Sequence, residues 1–292
     1  MPEYRLVIPS ELEGFTVRRA AMGGLGMSGG QFKRAKFHGS VLLNGQPVLA
    51  DARVHAGDAL ALVVLDKENT LPAPCALPLS IPYEDDWFWM VDKPAPLPTA
   101  CSCRQSGPTL ENALYAYAGC PERFVYRPVN RLDKGTSGLM LAAKNAHAQH
   151  LLQQLLHGPD FVREYLAVVE GAPPQSEGVI DLPIAKADEA SVRRVVSPDG
   201  KPARTRYRVE ARWEGRTLVR LRLDTGRTHQ IRVHMAHLGC PVAGDFLYGS
   251  ELASLPGRFA LHSALLRVRH PVTGEWVERE SPLPQALRAL MR

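Results

Sequence analysis

Cysteine is scarce in this chain: Cys75, Cys101, Cys103, Cys120 and Cys240 make five in 292 residues, an odd number with no framework spacing. That pattern argues against a secreted fold stapled by disulfides and leads to the expectation of a reducing compartment. Long apolar runs are missing too. Ala59 to Leu65 is typical of those present, far short of the roughly 20 residues that cross a bilayer. The opening Met1-Pro2-Glu3-Tyr4-Arg5 lacks the basic-then-apolar layout of a secretion signal, so no membrane partner is expected and the cytoplasm is the expected location. Nor does one sign of charge dominate, since 35 Lys and Arg face 30 Asp and Glu for a formal net charge of +5. With 45% apolar and 22% charged residues the composition is that of a folded chain, long enough to bury its own core without staples.

The basic charge that exists is concentrated. Between Arg193 and Arg232, 11 arginines and Lys201 stand against Asp199, Glu210, Glu214 and Asp224. Such a zone on an otherwise near-neutral protein suits a polyanion-binding face, although a solvated, arginine-rich sheet face would carry the same composition.

Proline punctuates the chain. Residues 67–80 hold Pro72, Pro74 and Pro78 without periodicity, which reads as a stiff linker between a small module, 1–66, and a larger one, 81–292. In the small module, Thr16 to Met22 and Gly30 to His38 read as helices, the second carrying Lys33, Arg34 and Lys36. Ser40 to Leu43 then forms a strand, Asn44-Gly45 a type I′ turn, and Gln46 to Leu49 the returning strand. Ala59 to Val64 is a further strand after the Ala56-Gly57-Asp58 turn. In the large module, Trp87 to Val91, Gly138 to Ala143 and Glu164 to Val169 read as strands. Thr109 caps a helix through Tyr117, and Ala146 to Leu156 is a second helix. From Ala203 to Ala211 alternation is strict, with Ala203, Thr205, Tyr207 and Val209 on one face and Arg204, Arg206, Arg208 and Glu210 on the other. A turn at Glu214-Gly215 makes this an antiparallel hairpin with Val219, Leu221 and Leu223. Thr228 is expected to cap a helix bearing Ile231, Met235 and Leu238, stopped by Gly239. Helices and strands intermix without a regular βαβ alternation, so the fold class is α+β rather than a doubly wound sheet.

Several motifs have bland readings that win. Gly24-Leu25-Gly26-Met27-Ser28-Gly29 matches a dinucleotide fingerprint, but the segment before it is charged and helix-like, not a buried strand; it reads as an inter-helix loop. His229, His234 and His237 lack a carboxylate or cysteine at ligand spacing, so no metal is expected. Gly135-Thr136-Ser137-Gly138 is one residue short of a serine-hydrolase elbow. Two segments stand apart. Arg127 to Lys144, RPVNRLDKGTSGLMLAAK, puts Asp133 at a tight turn between Arg131 and Lys134, cations that favour its ionised form. Asp224 to His237, DTGRTHQIRVHMAH, feeds a helix with Arg227 and Arg232. Each alone reads equally well as a loop salt bridge.

Together they resemble a known family. NRLDKGTSGL, REYLAVVEG from Arg163, GRTHQIRVHMAHLGCPVAGDFLYG from Gly226 and LHSALLRVRHPVTGE from Leu261 resemble, in order and spacing, the motifs of RluA-family pseudouridine synthases. The resemblance runs from about Ile81 to the C-terminus and implies a mixed, largely antiparallel sheet with a central cleft. The small module is similar to an RNA-binding domain of a ribosomal small-subunit protein, with Gly29-Gly30 where that domain usually has Ser-Arg. Asn130 stands where the family commonly has His, and Pro96 where it has Gly; neither position carries the family's chemistry.

What the resemblance implies is an isomerase that breaks the base–sugar bond of uridine in RNA and rejoins it through carbon-5. No electrons or groups are exchanged, so no cofactor is expected. Asp133 maps to the catalytic carboxylate, which either attacks the anomeric carbon or removes the 2′ proton. Arg232 maps to its basic partner, Tyr165 to the tyrosine that stacks on the base, and Ile231 to the apolar lining. A core aromatic is the competing reading of Tyr165. Arg131 maps to the side chain that fills the space of a flipped-out base, and Thr136 is a further substrate-binding candidate. Lys33, Arg34, Lys36, Arg204, Arg206, Arg208 and Arg227 are the candidate phosphate contacts. Ribosomal RNA is the expected partner, with transfer RNA as the other candidate and a monomer as the expected state. The rival readings are a catalytically idle RNA-binding ribosome-assembly factor and a metal-dependent hydrolase built on the three histidines.

Overall fold

The computed structural model describes residues 3–64, 70–101 and 107–291. Cys103 and the first three linker residues, 67–69, lie outside them. The fold is α+β, as its residue patterns lead one to expect.

Residues 3–63 build a four-stranded antiparallel sheet in the order Glu3–Val7, Ala59–Val63, Ser40–Leu43, Gln46–Pro47, packed against two helices. Thr16 accepts a hydrogen bond from Arg19 N to start the helix Val17–Gly24. Ser28 and Gln31 form a reciprocal capping box ahead of the helix Gly29–His38. The glycine-rich stretch therefore joins two helices, and no strand feeds it. Asn44 and Gly45 both have positive φ, 53° and 80°, as a type I′ turn requires. The returning strand is shorter than expected, ending at Pro47, although Val48 N still donates to Val41 O at 3.2 Å. Tyr4, Ile8, Val17, Phe32, Leu60 and Leu62 form the core of this part. The first strand, Glu3–Val7, went unread in the sequence. Its Tyr4 ring packs edge-on to His147, centroids 4.6 Å apart, on the larger part of the molecule.

Residues 70–79 form no helix or strand. They lie along the larger part, where Cys75 N donates to Asn112 O, and Leu77 and Leu79 pack on its core.

The large sheet runs Glu177–Asp181, Arg204–Trp213, Arg216–Leu223, Phe161–Glu170, Leu261–Arg269, Ser137–Ala143, Phe88–Lys93, Ser80–Glu84. Every neighbouring pair along it is antiparallel except Leu261–Arg269 with Ser137–Ala143, which is parallel. Trp276–Glu280 and Arg127–Pro128 attach beside this path. Every residue of Ser137–Ala143 is buried. Its Met140 and Ala142 enter one apolar cluster and its Leu139, Leu141 and Ala143 another, so the strand is covered on both faces. A fully buried leucine contributes about 1.5–3 kcal/mol, so this strand anchors whatever is attached to it. Gly138 (φ 105°) lets it approach its parallel neighbour, since a Cβ there would stand 2.2 Å from Ser263 O. The Arg204–Trp213 hairpin alternates as the sequence indicates, Thr205 and Tyr207 buried and Arg204, Arg206 and Arg208 exposed.

Candidate active site

A cavity of about 700 Å³ opens beside the turn that precedes the doubly covered strand. Asp133 sits on that turn, which is closed by Thr136 N donating to Asp133 O at 3.1 Å. Its side chain is half-buried, 28% exposed, and faces the helix Gln230–His237 across the cavity. From that helix Arg232 Nη1 donates to Asp133 Oδ2 at 3.0 Å. Tyr165 and Ile231, each 4% exposed, and the buried Thr136 line the same space, as do Arg131 and Arg227. Seven of the thirteen residues expected from the sequence thus meet in one cavity: Asp133, Tyr165, Arg232, Arg131, Ile231, Thr136 and Arg227.

The other six lie elsewhere. Lys33 and Lys36 are exposed and Arg34 half-buried on the helix Gly29–His38. The hairpin arginines are paired with acids: Arg206 Nε lies 3.0 Å and Arg204 Nε 3.4 Å from Asp224 Oδ2, and Arg208 Nη2 is 2.9 Å from Glu210 Oε1.

Sequence reasoning missed what holds Arg232. Its Nε and Nη2 donate to the two oxygens of Asp245 at 2.6 and 2.8 Å, a fork that leaves Nη1 for Asp133. Asp245 is fully buried and also accepts from Leu247 N and Tyr248 N. The guanidinium is stacked 4.1 Å from the Phe259 centroid and 5.0 Å from that of Tyr248. Burial opposes its charge, but Asp245 and Asp133 outweigh that and hold its pKa above the ordinary arginine value. The signal available in the sequence was an acid inside the mostly apolar run PVAGDFLYG, a place where only a partnered carboxylate persists.

Lys93 was missed too. It ends the strand Phe88–Lys93, is fully buried, and Nζ donates to Leu97 O at 2.7 Å and Pro94 O at 3.0 Å. Burial pushes its pKa down to about 7, with Asp133 pulling up and Arg258 pushing further down. Burial likewise raises the Tyr165 phenol.

One helix start differs from expectation. Thr228 does not cap Gln230–His237; His229 occupies that position in the left-handed region (φ 59°) and makes no side-chain cap. The reason is local: Gln230 Oε1 accepts from Arg227 N and Thr225 Oγ1, closing the loop that a Thr228 cap would have closed. His229 instead reaches Tyr248 Oη at 2.8 Å through Nδ1 and lies 3.9 Å from Asp133 through Nε2. Burial lowers its pKa, with Asp133 opposing. His234 has both ring nitrogens engaged, Nε2 donating to Leu182 O and Nδ1 facing Thr205 Oγ1, so its one lone pair is taken. Among the described residues no three His, Cys, Asp or Glu side chains gather as a metal site, and no helix is long and apolar enough to cross a membrane.

A mixed sheet with one arginine-held carboxylate at the floor of a cation-rimmed cavity defines a class: an enzyme suited to acid–base or nucleophilic work on a polyanion. Comparison with known proteins narrows it. A family model described as RNA pseudouridylate synthase matches residues 88–237, and the chain belongs to that family; it is an isomerase of RNA uridine. It is 39% identical over 270 residues to ribosomal large subunit pseudouridine synthase D of Xanthomonas campestris, covering 87% of this chain and 80% of that one. It is 37% identical to the uncharacterized RNA pseudouridine synthase YjbO of Bacillus subtilis, covering 95% of this chain and 98% of that one. Human RNA pseudouridylate synthase domain containing 1 superposes with a TM-score of 0.58 at 28% identity, over 73% of this chain and 87% of that chain.

Proposed function

We propose that this chain converts uridine to pseudouridine in ribosomal RNA, with Asp133 as the catalytic carboxylate. The observation that carries the reading is the 3.0 Å contact of Arg232 Nη1 with Asp133 Oδ2 inside the cavity that Tyr165 lines. Ribosomal RNA is favoured by relatives named for the large ribosomal subunit, in Xanthomonas campestris and in Pasteurella multocida (39% identical).

In this scheme the target nucleotide leaves its stack, at a cost of a few kcal/mol, and Arg131 at the rim fills the gap. Asp133 then attacks C1′ or takes the 2′ proton. Either route breaks the C1′–N1 bond and releases a delocalised uracil anion, which needs less help from a general acid than an ordinary glycosidic leaving group. The base turns over against Tyr165 and Ile231 and C5 bonds to C1′, which displaces Asp133 on the first route and takes the 2′ proton back from it on the second. C5 then gives up its proton and N1 gains one, so product and substrate are isomers. Arg232 keeps the carboxylate oriented throughout, and Thr136 closes the turn from which it acts. All atoms of the substrate are retained, so the scheme requires no redox or group-carrying cofactor.

The scheme carries a division of labour with it: residues 1–66 bind RNA through Lys33, Arg34 and Lys36, residues 67–80 connect, and 81–292 catalyse. It also carries action as a monomer in the cytoplasm, where its RNA lies. The test is carbodiimide mapping of pseudouridine in ribosomal and transfer RNA from cells lacking the gene, complemented with wild type or Asp133→Asn. The expected result is a large-subunit site restored by wild type alone. A site restored by Asp133→Asn refutes the catalytic assignment, and a lost site confined to transfer RNA refutes the substrate. RNA binding without any modified site would establish the idle assembly factor instead.

A further inference from the structure

The cations of the cavity differ from those of the hairpin in one respect: among the described residues, no carboxylate lies within salt-bridge distance of Arg163, Arg227, Arg131 or Lys134. Arg163 is the most unusual of them. It is 4% exposed, its Nη2 donates to Leu156 O at 3.3 Å, and its buried Nε has no hydrogen-bond partner. A guanidinium withdrawn from water without a counter-charge is strongly unfavourable, and proteins ordinarily supply an acid beside it. Here an imidazole, His157, and a second cation, Arg227, stand instead. His157 and Arg227 line the same part of the cavity, and burial, then Arg163, then Arg227 lower the His157 pKa. Above the guanidinium stands Gly226, where a Cβ would lie only 3.2 Å from Arg163 Nη1 and 3.8 Å from His157 Cε1. Any larger residue there would crowd the guanidinium.

Position supplies the rest. Arg163 and Tyr165 are two apart on the strand Phe161–Glu170 and share a face, so their Cα atoms are roughly 7 Å apart. A single nucleotide spans that distance between its base and its phosphate. We propose that Arg163, His157 and Arg227 form a subsite for the RNA phosphodiester next to the target uridine, and that this phosphate is the missing counter-charge of Arg163. The inference rests on the reading of the cavity as the uridine site, and it assigns the substrate-anchoring role to this corner rather than to the paired arginines of the hairpin.

The experiment uses the full-length protein and an RNA fragment carrying the mapped uridine, with a neutral methylphosphonate replacing the phosphate on its 5′ or its 3′ side. For wild type, one of the two replacements is expected to raise KM about tenfold to a hundredfold, the effect of one lost charged hydrogen bond, with a smaller change in kcat. Arg163→Gln is expected to show the same rise on the unmodified RNA and no further rise on the neutral linkage. Penalties that multiply, or two neutral linkages that both leave KM unchanged, overturn the proposal. Should Arg163→Gln fail to fold by circular dichroism, Arg227→Gln and Gly226→Ala carry the same comparison. A second measurement separates this proposal from the assigned reaction. In NMR titrations of the wild type, uridine 5′- or 3′-monophosphate, whichever carries its phosphate on the side of the sensitive linkage, should raise the His157 pKa while uridine leaves it unmoved. No difference between the two overturns the subsite, even if turnover is found; absence of turnover with that difference present overturns the function and not the subsite.

Discussion

Arg232 is gripped by two acids, and the grips are unequal. Asp245 is fully buried and makes two charged hydrogen bonds of 2.6 and 2.8 Å to it; Asp133 makes one of 3.0 Å and is 28% exposed. Replacing Asp245 with Asn keeps the shape, removes the charge and leaves a guanidinium 3% exposed with a single counter-ion. Breaking a buried pair costs about 3–5 kcal/mol; with Asp133 still in place, about 3 kcal/mol is expected. At roughly 2–4 °C per kcal/mol for a chain of this order, Tm should fall by about 6–12 °C. Asp133→Asn loses a solvent-screened contact worth about 1 kcal/mol or less, so its Tm should stay within a few degrees of wild type. Activity should invert the order: none in Asp133→Asn, reduced but present in Asp245→Asn. Differential scanning calorimetry and single-turnover pseudouridine formation measure the two quantities. If Asp133→Asn lowers Tm as far as Asp245→Asn does, the proposed separation between a holding acid and a reacting acid is wrong.

Three further outcomes are expected. Gly138→Ala should be insoluble or lose well over 3 kcal/mol, because its methyl would meet Ser263 O at 2.2 Å and its φ is 105°; a soluble variant with wild-type Tm would refute the close-approach argument. Lys93 has its folded pKa depressed to about 7, so the unfolded chain holds its proton more tightly. The penalty for burying its charge is therefore full below pH 7 and is relieved as pH rises from 7 towards the unfolded value near 10.4. The Tm of Lys93→Met relative to wild type should accordingly be most favourable at pH 6 and decline by pH 9; a flat difference refutes it. Arg227→Gln should weaken RNA binding and reduce its salt dependence more than Arg206→Gln does, because Arg206 is already paired with Asp224. Equal effects in filter binding at two salt concentrations would return the hairpin face to the RNA.

Local chemistry was legible and distant chemistry was not. Thr109 capping the helix Leu110–Tyr117, the Asn44-Gly45 turn and the alternating Arg204–Trp213 hairpin are each decided within a few residues, and each stands as its sequence indicates. The Asp133 turn and the Arg232 helix were legible through the family resemblance of their motifs, and the fold brings them together across 99 positions of sequence. The strand Glu3–Val7 went unread because its partner, Ala59–Val63, is more than fifty residues away and its own pattern is short. The Thr228 cap failed because the side chain of the first helical residue, Gln230, competes for the same loop. Lys93 and Arg163 look like ordinary surface residue types until burial is known, and for Asp245 only the apolar run around it hints at enclosure.

The two walls of the cavity differ in how freely they can drift. The Asp133 wall hangs from Ser137–Ala143, whose side chains pack alternately into two apolar clusters, so that neither face is free to change. The facing wall follows a hairpin with one watered surface and ends in the loop of Gly226 and Arg227, where a replacement alters contacts in the cavity but little of the apolar core. Divergence between relatives can therefore retarget such a scaffold to a different RNA by rewriting the second wall alone, while the bond-making wall stays locked.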